Sequence, residues 1–142
     1  MKRGMTRVKF DTRPLGLTFD NWSADLLDGR VNTLLKNESK VIVDDAKTRS
    51  SYLSRAVSNS IRFIEKGFYP LSVLIGPKYP EGSLAHLFEY GTAPRYTDSG
   101  EFRGEMEAQP FMRPAFENNR DAVTEGIKIG LKKIVKSLNN NK

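Results

Sequence analysis

Between Pro110 and Leu138 the residue pattern leaves room for little except one long helix, and that helix constrains what the rest of the chain can build. Met112, Phe116, Val123, Ile127, Leu131, Ile134 and Leu138 recur at steps of three or four residues, or their sums, which aligns them along one side of an α-helix. An amphipathic helix draws most of its stability from packing, so this stripe needs an apolar surface of similar length against it. Two prolines set the start. If Pro110 opened the helix, Pro114 would lack an amide where the first internal bond is due, so Pro114 is predicted at the first helical position, after a Phe111-Met112-Arg113 lead-in turn.

The long surface is supplied near the other end of the chain. From about Asp20 to Arg49, Leu27, Val31, Leu34, Val41 and Ala46, with Leu35 and Ile42 beside them, predict a second amphipathic helix, with Asp20 or Ser23 as its N-cap. Gly29 weakens it by about 1 kcal/mol relative to Ala, enough to allow a bend or a late start. Residues 50 to 57 read as a loop or a short turn of helix. Ser60 to Glu65 and Leu71 to Gly76 alternate around a Gly-containing connection and predict a β-hairpin or two adjacent antiparallel strands. Ser83 is a candidate cap for a short helix ending at Tyr90, with Gly91 just beyond it where a left-handed backbone is tolerated. Residues 92 to 109 read as a long loop, and 1 to 19 as an extended arm with one edge strand. The expected fold is α+β: one domain over residues 1 to 142, with a small antiparallel sheet packed against two long helices and residues 20 to 138 as its core.

Composition narrows the function classes. A hydrophobic share of 38% and a charged share of 28% are those of a globular domain, and no apolar run approaches the roughly 20 residues that a membrane helix needs. Nor does the start carry the apolar core of a secretory signal. The chain has no cysteine, which removes disulfides, thiol catalysis and Cys-based zinc sites. Its net charge of +6 includes two basic groups: Lys2, Arg3, Arg7, Lys9 and Arg13 near the start, and Lys128, Lys132, Lys133 and Lys136 near the end. Such groups can contact DNA phosphates, but solvated helix faces and compensation of a helix C-terminus use lysines in the same way.

Reactive constellations are sparse. His86 and Glu89 have a metal-ligand spacing, but a lone His and one carboxylate make only two ligands. Asp44 and Asp45 are expected on the polar face of a helix, and Glu101, Glu105 and Glu107 in a loop, where carboxylates lack the rigid frame of a Mg²⁺ site. No Gly-x-Ser-x-Gly elbow or phosphate-binding glycine loop occurs. No catalytic residue, metal site or cofactor is assigned, and the chain does not read as an enzyme. The aromatic residues Phe88, Tyr90, Tyr96, Phe102, Phe111 and Phe116 could form a base-stacking surface with Arg95, Arg103 and Arg113. The favoured reading makes Phe88, Tyr90, Phe111 and Phe116 core, with Tyr96 and Phe102 reaching a neighbouring subunit.

One pairing of motifs is distinctive. Phe88-Glu89-Tyr90-Gly91-Thr92 is followed, after a polar stretch, by Gln109-Pro110-Phe111 and Pro114-Ala115-Phe116. This resembles the neck and tail-completion proteins of long-tailed bacteriophages, in which a Glu-aromatic-Gly-Thr segment precedes a Pro-Phe-x-x-Pro-Ala helix start. The resemblance covers roughly residues 50 to 138 and rests on packing residues. It implies a structural virion protein at the head-proximal end of the tail, made in the host cytoplasm. Such a protein would act as a homo-oligomeric ring, hexameric or else dodecameric, between connector, neck and tail-tube proteins, with non-specific contact to DNA in the channel and no membrane or small-molecule partner. Val8, Phe10 and Arg13 of the arm, and Arg95, Tyr96, Phe102 and Arg103 of the 92 to 109 segment, are the expected subunit contacts. A basic DNA-binding module is the alternative.

Overall fold

The computed structural model describes residues 6–8, 24–64 and 72–140, with side chains described from residue 29 onward within them. The elements run β1 (Thr6–Val8), α1 (Ala24–Ser50), α2 (Arg55–Ser60), β2 (Ile61–Ile64), β3 (Val73–Pro77), α3 (Ala85–Tyr90), β4 (Thr92–Tyr96), β5 (Phe102–Met106) and α4 (Met112–Asn139). This is the expected α+β arrangement, with one difference. There are two antiparallel sheets, a three-stranded one ordered β1-β3-β2 and a separate β4-β5 ribbon.

The two long helices form an antiparallel pair. Arg30 Nη1 donates to Ser137 Oγ at 3.3 Å near one end, and Asn119 Nδ2 donates to Asp45 Oδ2 at 2.9 Å near the other. Between these, a methyl placed on Gly126 would strike the Glu38 carboxylate, and one on Gly130 would strike the Leu34 side chain. Each glycine weakens a helix interior by about 1 kcal/mol relative to Ala, and this close approach is the local reason for tolerating that. The stripe on α1 is Val31, Leu35, Ser39, Ile42, Ala46 and Ser50, all buried, with Val43 beside it. Val41, expected in the stripe, is 44% exposed, because it lies on a different side of the helix from Ile42. The helix runs unbroken through Gly29, while Asp20, Ser23 and the side chain of Leu27 lie outside the described residues.

Ser50 to Val57 resolves into a turn followed by α2, whose cap is Ser54: its hydroxyl accepts from Val57 N. Serines fill this junction because backbone carbonyls at the end of α1 need donors in a dry place. Ser50 Oγ donates to Ala46 O at 2.8 Å, and Ser58 Oγ to Lys47 O at 2.9 Å. The strands β2 and β3 pair antiparallel, Phe63 opposite Ile75, as the alternation predicts. Within the arm, Thr6–Val8 pairs with β3 as an edge strand, Val8 opposite Val73. Ile61, Val73 and Ile75 meet Ile42, Ala46, Val57, Phe111, Ala115, Val123 and Ile127 in one core.

Three local expectations are corrected. Ser83 does not cap α3. Leu84 holds the cap position without a side-chain bond, since successive turns already give Ser83 N to Pro80 O and Ala85 N to Gly82 O, each 3.1 Å. The segment from 92 to 109 is not a loop: most of it is the β4-β5 ribbon, closed by a turn in which Gly100 N donates to Thr97 O at 2.9 Å. Pro114 is the third residue of α4, Met112 being the first, and the first internal bond is Ala115 N to Phe111 O at 3.3 Å. A proline is tolerated there because the first-turn amides have no internal acceptor.

Candidate functional site

The start of a helix demands acceptors for its first amides, and α4 carries no Ser, Thr, Asp or Asn at its cap: Phe111 sits there and makes no side-chain bond. The acceptor comes from α3. Glu89 Oε2 accepts from Phe111 N at 2.8 Å and Met112 N at 3.0 Å, and its Oε1 accepts from Arg113 N at 3.0 Å. Pro114 has no amide, so the unpaired donors of the first turn are all accounted for. A carboxylate at this helix end is also favoured by the helix dipole and by charge-assisted hydrogen bonds.

The neighbours of Glu89 extend this clasp. Gln109 N donates to Phe88 O at 2.7 Å, and Met106 N donates to Thr92 Oγ1 at 2.9 Å. Gly91 has φ 69° and ψ −172°, a region almost restricted to glycine. A Cβ there would come within 2.5 Å of Met106 O and 2.8 Å of Ala108 N. Phe111 and Ala115 are buried, while Phe88 and Phe116 are half-buried against the core. The motif residues are thus one mechanical unit that ties α3, both ribbon strands and the start of α4 together. Tyr90 departs from its expected core role: it is 67% exposed, since Glu89 and Phe88 take the inward directions of the short helix. Phe116 is not fully buried either, because Ala115 takes the position closest to the core.

The clasp mounts a ribbon that buries little. Tyr96 and Phe102 pair across the strands, with ring centroids 5.6 Å apart and planes at 59°, yet they are 63% and 59% exposed. Arg95 and Arg103, each adjacent in sequence to one of the rings, are exposed as well. The structure therefore gathers Arg95, Tyr96, Phe102 and Arg103 on one projecting element. Of the arm residues, Val8 belongs to β1 through its backbone, and Phe10 and Arg13 lie outside the described residues.

The remaining candidates are dispersed. Both oxygens of Glu89 are occupied by backbone amides, and His86 is exposed. Asp45 is not on a free polar face but in the helix seam, where Oδ1 accepts from Arg49 Nε at 2.9 Å and Oδ2 from Asn119. Asp44 and the ribbon acids Glu101, Glu105 and Glu107 are exposed. Among the described residues no three His, Asp or Glu side chains come together to hold a metal ion, and no helix is long and apolar enough to cross a membrane. Exposed Arg113 donates from Nε to Glu117 Oε1 at 3.0 Å, and that bond, more than the nearby Glu89, raises its guanidinium pKa. The capping role of Glu89 has no sequence spacing to reveal it; the available clue is a long helix without a cap of its own. No protein-family model, curated protein or solved structure matches the chain.

Proposed function

We propose that this protein is a structural subunit of a tailed-bacteriophage neck, completing the head-proximal end of the tail and joining it to the head through a ring of identical subunits. The observation that supports the reading is the clasped ribbon. The residues that carry the resemblance are those that anchor a β-ribbon whose paired rings face solvent. An exposed aromatic pair flanked by arginines has the composition of an interface centre. A ribbon held at its base and free at its tip can reach a neighbour without straining the core, and a heterologous contact that closes by rotation gives a ring.

The experiment is localisation together with disruption. Antibody raised against the chain should label the junction of head and tail in purified particles. Genomes carrying Tyr96→Ser with Phe102→Ser should yield unjoined heads and tails, although the variant protein is folded by circular dichroism. Label on the capsid shell or tail tip, or particles joined normally by the variant, would overturn the reading.

A further inference from the structure

We infer that one end of the helix pair is a sequence-independent docking face for the phosphate backbone of duplex DNA. The antiparallel pairing, fixed by the Arg30 to Ser137 bond, sets the first turns of α1 beside the last turns of α4. This joins residues far apart in sequence. Arg30 and Lys40 of α1 and Lys128, Lys132, Lys133 and Lys136 of α4 are all exposed. The acids of this end all belong to α1, Asp25 and Asp28 in its first turns and Glu38 set against Gly126, and α4 carries none after Glu125. At the opposite end, Asp44, Asp45, Glu117, Asp121 and Glu125 offset Lys47, Arg49, Arg113 and Arg120. The acids and bases of α1 balance, so the polarisation along the pair is that of α4, in which four lysines and no carboxylate follow Glu125.

Two simpler uses of these lysines fall short. Compensation of the helix dipole operates within the last turn, where only Lys136 lies; Lys132 and Lys128 precede it by about one and two turns. Among the described residues, local ion pairing of these lysines is that of Lys128, whose Nζ is 3.5 Å from Glu125 Oε2, a bridge between exposed groups.

The spacing favours DNA over an acidic protein. Lys128, Lys132 and Lys136 form one row on α4, with successive members about 6 Å apart along the axis. Duplex DNA presents a negative charge about every 1.7 Å of its length, so a straight row of flexible ammonium groups finds partners in any register. An acidic protein surface would have to place its carboxylates to match. Lysine, a compact charge on a mobile stem, suits binding without base readout.

The test uses the full chain and a mixed-sequence duplex of about 30 base pairs, read by fluorescence anisotropy. If about four phosphates are neutralised, affinity should fall roughly a hundredfold between about 50 and 200 mM salt. The triple variant Lys132→Gln, Lys133→Gln, Lys136→Gln should flatten that slope by about one for each of the three lysines that meets a phosphate. The charge-matched control Lys78→Gln, Arg113→Gln, Arg120→Gln should bind as the parent does. Equal weakening in both triples would mean that total charge is responsible, and salt-insensitive binding, or equal affinity for poly-glutamate, would also overturn the inference. It does not rest on the ring reading, because the Tyr96→Ser, Phe102→Ser protein should bind DNA as the parent does even if that reading fails.

Discussion

The two sheets are both small and antiparallel, yet they exist for different reasons. In the three-stranded sheet the central strand buries Val73, Ile75 and Gly76 and its neighbour buries Ile61, so these strands supply one wall of the core. In the ribbon no residue is fully buried. Isolated two-stranded ribbons are marginal in water, and this one persists because the Glu89 clasp and the latch at Thr92 hold its base. Strands that bury apolar side chains are needed for folding, whereas strands that hold aromatic surface out in water point to a partner. Substitutions should therefore separate stability from assembly along this line.

The core side of the comparison should give the largest effect. Phe111 is buried where the clasp meets the core, and Phe111→Ala should cost about 3 to 5 kcal/mol. Ile75→Ala in the central strand should follow at about 2 to 5 kcal/mol, both read as a lowered denaturant midpoint. Phe116→Ala, at a half-buried position beside it, should cost less than Phe111→Ala. If the order of the two phenylalanines were reversed, the account of which ring enters the core would fail.

The clasp itself comes next. Glu89→Ala strands three amides at the start of α4, an expected loss of about 2 to 3 kcal/mol, with Glu89→Gln recovering part of it because one acceptor oxygen remains. Gly91→Ala should cost about 1 to 3 kcal/mol from its backbone conformation alone, with more from the collision with the Met106 carbonyl. Hydrogen exchange would sharpen this result: both variants should loosen amides of the ribbon and the first turns of α4 before those of β3. Uniform loosening would mean that the clasp is not a local device.

The legibility of the chain follows the same division. Both long helices and the β2-β3 pairing can be read because burial imposes a period, as at Val123, Ile127 and Leu131 or at Ile61 and Phe63, and the edge strand of the arm is read from the alternation that Val8 begins. The ribbon cannot, since its residues face solvent on most sides and leave no alternation, while Pro94 falls where the register shifts between Thr92 and Arg95 and resembles a breaker. Tyr96, Phe102, Arg95 and Arg103 are still legible as surface residues, from their chemistry and their distance from any apolar stripe. Glu89 is recognisable as part of a motif but not as a cap, because a carboxylate that reaches another helix across some twenty residues leaves no local spacing. Arg30 and Lys40 carry no sequence signal of their role, because their link to the α4 lysines exists only once the helices pair.

The smallest effect on stability should come from the ribbon tip, and it is the one that bears most on function. Tyr96 and Phe102 touch each other across the strands, and cross-strand pairs of this kind contribute roughly 0.2 to 1 kcal/mol. Because Tyr96 and Phe102 are both exposed residues outside the core, truncating both leaves no cavity there. Tyr96→Ser with Phe102→Ser should therefore shift the unfolding midpoint by less than Glu89→Ala alone, while the mass of the concentrated protein measured by light scattering falls from that of an oligomer to that of a 16.1 kDa monomer. A double variant that remained oligomeric would move the interface off the ribbon. One that unfolded as readily as Phe111→Ala would show that the two sheets are not the separate structures their burial implies.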